Sequence, residues 1–303
     1  VRGQEGSVAP VVTPLLDDGT LDHDSLRGLV RWQLESGSHG ISLGGSTGEP
    51  SAQSAEERIA AMRTAVDEIA DRVPFVPGTG SHTLDETLAI TAAARDLGAD
   101  AALIITPYYA RPTQQALYQW YATVAREFPD LPLIVYNVPS RTAVDIAPDT
   151  VKRLFADFDN IVGIKETTKD FEHFSRVLHA WGPELLVWSG IELLCLPLLS
   201  LGGVGFVSAV ANLAPAAVAR MYELWETGEP ENMAAARELH FRLHPLVDLI
   251  FTETNPAPAK WVLHQQGRIA SAHVRPPLIT PTQQGIARIR DHLKASDGLV
   301  QSL

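Results

Sequence analysis

Lys165 closes the run Ile161-Val162-Gly163-Ile164-Lys165 and is followed by Glu166-Thr167-Thr168. An apolar, β-branched run of this length reads as a buried parallel strand, where a lysine is costly unless its charge is lost or paired. A desolvated lysine amine is the usual nucleophile for making a Schiff base with a carbonyl substrate. The iminium so formed is an electron sink that permits a carbon–carbon bond to form or break beside a ketone. The plainer reading is that the strand ends at Ile164 and the amine reaches solvent. Further polar groups recur at the ends of other apolar runs: Gly44-Gly45-Ser46-Thr47-Gly48-Glu49, Thr106-Pro107-Tyr108-Tyr109, Tyr136-Asn137-Val138-Pro139-Ser140-Arg141-Thr142 and Ser189-Gly190. Glycines there allow close backbone approach, and the backbone N–H groups and hydroxyls suit an anion. A tyrosine is a poor base at neutral pH, so Tyr136 needs a chain of hydroxyls to pass a proton on.

The elements that must hold these groups alternate along the chain. Candidate strands cover Val8–Val12, Gly40–Leu43, Phe75–Gly78, Ala101–Ile105, Leu133–Tyr136, Ile161–Lys165, Leu185–Ser189 and Gly205–Ser208. Their spacing of roughly 20–35 residues is that of βα units. Between them lie helical patterns with start and stop signals. Asp22 and Asp24 precede Leu26-Leu29-Val30-Leu34, which Gly37 closes; Ser54 with Glu57, and Thr83 with Glu86, read as capping boxes. Eight strands with intervening helices predict an α/β protein of the (β/α)8 TIM-barrel type, although an open doubly wound sheet has the same alternation. From about Pro215 the pattern is mostly helical, with apolar stripes Met221-Leu224-Trp225 and Leu239-Leu243-Leu246-Val247-Ile250. The expected division is a barrel over residues 1–224 and a C-terminal helical appendage over 225–303.

Composition narrows the function. The chain has 303 residues, 45% hydrophobic and 20% charged, with net charge −12. That acidity argues against a nucleic-acid partner, which needs a basic footprint. A single cysteine, Cys195, within Leu193-Leu194-Cys195-Leu196, rules out an internal disulfide framework and reads as a small buried hydrophobe. The segment Val1–Gly6 has no leader-like apolar core and no run is long enough for a membrane span, so a cytoplasmic protein is expected. His240 and His244 have the i,i+4 spacing that metal sites use, but no third ligand accompanies them and helix packing is the expected role. Gly202-Gly203-Val204-Gly205 precedes a strand rather than following one, which disfavours nucleotide binding. Glu56 and Glu57, in a first helical turn, favour the helix dipole and need no catalytic role.

Taken together, Gly45-Ser46-Thr47-Gly48-Glu49, Gly78-Thr79-Gly80, Thr106-Pro107-Tyr108-Tyr109, Tyr136–Thr142, Gly163-Ile164-Lys165-Glu166 and Asn255-Pro256-x-Pro258-x-Lys260-Trp261 resemble, in order and over nearly the whole chain, the dihydrodipicolinate synthase / N-acetylneuraminate lyase family of class I aldolases. The resemblance implies a barrel with a helical C-terminal domain, assembled as a dimer of dimers. It implies action on pyruvate and an aldehyde without metal or organic cofactor, the covalent Schiff base sufficing. By that resemblance Lys165 forms the Schiff base and Tyr136 relays protons. Thr47 hydrogen-bonds Tyr136, and Tyr109 completes the relay from a neighbouring subunit. Ser46 and Thr47 hold the pyruvate carboxylate, and Arg141, Thr167, Gly190, Glu192 and Val207 complete the substrate site. Of the adjacent tyrosines, Tyr108 reads as the interface aromatic.

The aldehyde is argued from single positions. Arg141 resembles the arginine by which dihydrodipicolinate synthases hold the carboxylate of aspartate semialdehyde, and a guanidinium suits a bidentate contact. Ser46, Thr167 and the pair Ile191-Glu192 depart from the synthase pattern, and Ala55 and Arg58 stand near the places of a histidine pair by which some synthases sense lysine. An aldehyde with a carboxylate but no amine, such as succinic semialdehyde, satisfies both sides. The leading expectation is therefore an aldolase cleaving 2,4-dihydroxyhept-2-ene-1,7-dioate. The alternatives are 4-hydroxy-tetrahydrodipicolinate synthase and a non-catalytic binding barrel, the latter disfavoured by the intact relay set.

Overall fold

The computed structural model describes residues 5–296 and 298–300. The segment Val1–Gln4, read above as part of an end lacking a leader, lies outside them. The chain forms two compact units, one from Gly6–Val73 with the residues from Ser208 onward, the other chiefly from Pro74–Val207.

The first unit begins with β1 (Gly6–Pro10), α1 (His23–Glu35), β2 (Gly40–Ser42) and α2 (Ala55–Ile69). β1 and β2 pair in parallel, Val8 opposite Gly40. Asp22 caps α1 by accepting from the Ser25 N–H, and Ser54 and Glu57 close the expected capping box on α2.

The second unit runs through α3 (Leu84–Asp96), β3 (Ala102–Ile105), α4 (Gln114–Glu127), β4 (Leu133–Asn137), the short α5 (Pro139–Thr142), α6 (Pro148–Asp157), β5 (Ile161–Glu166), α7 (Phe171–Trp181), β6 (Leu186–Ser189), α8 (Cys195–Ser200) and β7 (Gly205–Val207). Its strands are parallel in the order β7-β6-β5-β4-β3. Ala102, Ile104, Leu133, Val135, Ile164 and Val187 bury one face of this sheet against Leu117, Tyr121, Val151, Leu154, Phe174 and Val177 of the helices. Since strand side chains alternate, the intervening residues face the other way.

After β7 the chain returns to the first unit as α9 (Pro215–Glu226), α10 (Pro230–Ile250), α11 (Ala257–Gln265) and α12 (Gln283–Ala295). The expected apolar stripes are buried in α9 and α10 at Met221, Leu224, Leu243, Leu246, Val247 and Ile250, while Trp225 and Leu239 are half-buried. Cys195 is buried, as expected. No helix among the described residues is long and apolar enough to cross a membrane.

Two expectations are corrected. The strand expected at Phe75–Gly78 forms only isolated bridges, Gly78 standing parallel to Leu103. Pro74 and Pro77 supply no N–H to a ladder. Gly80 runs so close to the next strand that an added Cβ would lie 2.6 Å from the Ile105 nitrogen. The chain there is pinned instead by Leu103 N–H donating to the Pro77 carbonyl and Thr79 N–H to that of Leu103. Nor does Thr83 cap α3 through its side chain. Ser81 takes the Glu86 carboxylate, donating to Oε2 at 2.5 Å.

Candidate active site

Tyr136 and Lys165 are register partners on β4 and β5. Their neighbours Val135 and Ile164 face the helices, so the phenol and the amine emerge together on the opposite face. β5 continues through Glu166 and Lys165 is only 6% exposed, which removes the reading of a solvent-facing amine at a strand end. Its Nζ lies 4.1 Å from the centroid of the Tyr136 ring. A buried amine with an aromatic face as neighbour, and no carboxylate paired to it among the described residues, can form a carbinolamine at modest desolvation cost. Trp188 is the register partner of Lys165 on β6, and Gly190 follows that strand. A Cβ on Gly190 would lie 2.7 Å from Lys165 Cε and overlap Thr167 Cγ2, so glycine is what leaves room for the lysine stem.

A buried polar network backs this pair. Asn137 and Glu166, one residue beyond Tyr136 and Lys165, are themselves register partners. Asn137 Nδ2 donates to Glu166 Oε2 at 3.0 Å and to Asp145 Oδ1 at 2.8 Å. The N–H groups of Thr167 and Thr168 donate to Glu166 Oε1 at 2.8 and 2.9 Å. His173 Nε2 is 3.6 Å from Glu166, and the carboxylate beside it holds its imidazole above the ordinary value, with burial acting the other way. Thr167 Oγ1 donates to the Asn137 carbonyl at 2.5 Å, which ties the two strand ends together. A buried carboxylate with this many donors is satisfied and fixes the strand ends that carry the amine and the phenol.

The other expected groups of this unit lie on its loops. Tyr109 is 94% exposed with φ 74°, a left-handed conformation uncommon for a bulky residue, and Tyr108 is half-buried against His82 at 5.3 Å between ring centroids. Tyr109 is thus the outward-facing member of the pair. Arg141 is exposed on α5, a turn anchored by Thr142 Oγ1, which donates to the carbonyls of Val138 and Val144 at 3.2 and 3.0 Å. Glu192 opens a half-buried 3-10 turn, and Val207 ends β7 buried.

Ser46 and Thr47 belong to the first unit, on a 3-10 turn, Ser46–Gly48, after β2. Thr47 is buried and its Oγ1 accepts from Asn255 Nδ2 at 3.0 Å. Glu49 ends the turn at φ 57°. Its buried carboxylate accepts from Lys260 Nζ at 2.5 Å and from the Arg275 N–H at 3.1 Å. Lys260 donates to the His273 carbonyl as well, and burial pushes its ammonium down from the ordinary value while Glu49 acts against that. Gly48's carbonyl accepts from Thr13 Oγ1 at 2.8 Å and from Gln53 Nε2.

Asn137, Glu166, Asn255 and Lys260 lie within the motifs above, where sequence alone gives them no task. An acid directly after the strand lysine, and a lysine within an apolar helical stretch, were the available signals. His240 and His244 stack edge to face with each other at 5.1 Å, and no group of three or more metal-ligating side chains occurs among the described residues.

The model of the dihydrodipicolinate synthetase family matches residues 4–296. A 4-hydroxy-tetrahydrodipicolinate synthase of Thermus thermophilus is 46% identical over 285 residues, 94% of each chain. Among solved structures, the dihydrodipicolinate synthase of Aquifex aeolicus superposes with a TM-score of 0.92 at 34% identity, covering 98% of this chain and 100% of that one. That of Acinetobacter baumannii, solved in complex with pyruvate, gives 0.92 at 39% identity, over 98% and 99%.

Proposed function

The chain belongs to the dihydrodipicolinate synthetase family, whose members are lyases that work through a covalent Schiff base with pyruvate and need no cofactor, and we propose that it joins pyruvate to aspartate semialdehyde as a 4-hydroxy-tetrahydrodipicolinate synthase. The observation that carries the chemistry is the buried Lys165 amine over the Tyr136 ring. For the aldehyde, the support is the synthase name borne by relatives 46% and 40% identical over nearly their whole lengths. This reverses the preference drawn from single positions for succinic semialdehyde and 2,4-dihydroxyhept-2-ene-1,7-dioate. One of those positions, Thr167, has its hydroxyl proton committed to the Asn137 carbonyl, so its presence is accounted for without reference to the aldehyde.

In this reading the Lys165 amine adds to the keto carbon of pyruvate and loss of water gives the iminium. Removal of a methyl proton gives an enamine whose carbon attacks the aldehyde. Tyr136 moves protons at the reacting atoms, with Thr47 and Tyr109 as the rest of the relay. Tyr109 reaches the site of a neighbouring subunit in a dimer of dimers, for which its exposure is the support. Ser46 and Thr47 hold the pyruvate carboxylate, with Val207, Gly190 and Thr167 shaping its surroundings, and Arg141 and Glu192 face the aldehyde portion. The fold proposed is a closed (β/α)8 barrel over residues 1–224 with a helical domain over 225–303.

The test is borohydride reduction in the presence of pyruvate, followed by steady-state rates with aspartate semialdehyde and with succinic semialdehyde. A reduced pyruvyl group on Lys165 and a higher kcat/KM for aspartate semialdehyde are expected. Label on another lysine would remove the mechanism, and preference for succinic semialdehyde would return the enzyme to the dioate-cleaving reaction.

A further inference from the structure

The motif Asn255-Pro256-x-Pro258-x-Lys260 has no part in the chemistry above, yet both of its polar side chains are buried against the turn that carries Ser46 and Thr47. Lys260 grips Glu49, the residue whose left-handed backbone ends that turn, and Asn255 grips the Thr47 hydroxyl itself. The turn has further ties, from Thr13 and Gln53 to the Gly48 carbonyl and from the Arg275 N–H to Glu49. Its backbone therefore does not depend on Asn255. What Asn255 holds is the hydroxyl.

We propose that Asn255 is a positioning residue that sets the direction of the Thr47 O–H, so that Thr47 donates its proton to the carboxylate of the bound 2-oxo acid. The inference rests on the assignment of that carboxylate to Ser46 and Thr47. A threonine hydroxyl has one hydrogen and can rotate it among several acceptors. With an amide N–H donated into its oxygen at 3.0 Å, the hydroxyl hydrogen is excluded from the Asn255 side, because two hydrogens cannot share that line. The hydroxyl is left as a donor towards its other neighbours, which is the polarity an anion needs. The opposite amide orientation would offer oxygen to the same hydroxyl and draw its hydrogen inward. Asn255 Oδ1 makes no hydrogen bond with a described residue, so nothing else on that side competes for the Thr47 proton.

Asn255→Asp and Asn255→Ala, each in wild-type and Thr47→Val backgrounds, test this through pyruvate KM, kcat and borohydride trapping. Asp keeps the shape of Asn but only accepts, so it turns the Thr47 hydrogen inward; Ala merely frees it. We expect Asn255→Asp to raise KM for pyruvate by about tenfold, the scale of one charge-assisted hydrogen bond, and more than Asn255→Ala does. For Asn255→Asp kcat should fall as KM rises, since the Thr47 hydroxyl also belongs to the relay, and in the Thr47→Val background both substitutions should change KM and kcat by less than about twofold. A merely structural role predicts the reverse order, since the isosteric acid disturbs packing less. Asn255→Asp behaving as wild type would mean that the amide presents its oxygen, overturning the proposal. Losses that persist without the Thr47 hydroxyl would show a direct charge effect or a packing defect and overturn it equally. A wild-type protein that traps no pyruvate would instead bring down the functional reading itself, and the inference with it.

Discussion

Replacing Gly190 by alanine should disable the enzyme at the step of adduct formation rather than by unfolding it. The added Cβ would lie 2.7 Å from Lys165 Cε and overlap Thr167 Cγ2. Carbon atoms rest at about 3.5–4.0 Å, so the lysine stem must yield by roughly an ångström. Thr167 cannot absorb the strain cheaply, because its hydroxyl is tied to the Asn137 carbonyl at 2.5 Å. Overpacking of this kind costs about 1–3 kcal/mol of stability, which leaves a protein of this size folded. A displacement of about 1 Å at a reacting group, however, can cost about 10²-fold in rate. Single-turnover trapping of pyruvate with borohydride, read by mass on the peptide containing Lys165, measures that step directly. A Gly190→Ala protein that forms the adduct at the wild-type rate would refute the packing argument and with it the placement of the amine.

Tyr136→Phe should still trap pyruvate on Lys165, while turnover falls by about 10²–10⁴-fold, the range of a positioned acid or base; turnover near wild type would remove Tyr136 from the relay. Lys260→Met leaves the Glu49 carboxylate buried without its cation and should cost about 3–5 kcal/mol in urea unfolding, most of it recovered on adding Glu49→Leu; a loss under about 1 kcal/mol would mean that water reaches the pair. Hydrogen bonds from Arg275 lower the Glu57 carboxyl from 4.5 to about 2. A depressed folded-state value stabilises above the unfolded value and is lost as pH falls, so thermal stability should drop between about pH 4.5 and 2, and Glu57→Gln should flatten that part of the curve.

What could be read from sequence was whatever repeats or stands alone. Periodic apolar runs located β1 to β7 to within a few residues, because each strand buries side chains at regular spacing. Phe75–Gly78 misled because its apolar residues are those of a strand while Pro77 within it and Pro74 before it cannot donate to a ladder. Lys165 was legible as a charge where charge is expensive. Glu166 and Asn137 were not, since a buried acid and amide next to each other across two strands have no signature until β4 and β5 are paired. The same holds for Asn255 and Thr47, which meet only in the fold. Thr167 shows the opposite hazard: a residue type read as a sign of the aldehyde is here accounted for by a backbone carbonyl.

The grip of Lys260 on Glu49 spans 211 residues of chain. At synthesis rates of about 5–20 residues per second, the turn bearing Ser46 and Thr47 emerges from the ribosome roughly 10–40 s before the amine that neutralises its glutamate. Until then the Glu49 carboxylate lacks its cation, and burying it unpaired is costly. The hydroxyl-bearing loop is thus expected to be among the last parts of the nascent chain to set, so that fragments ending before Asn255 should leave it more open to proteolysis than the full chain does.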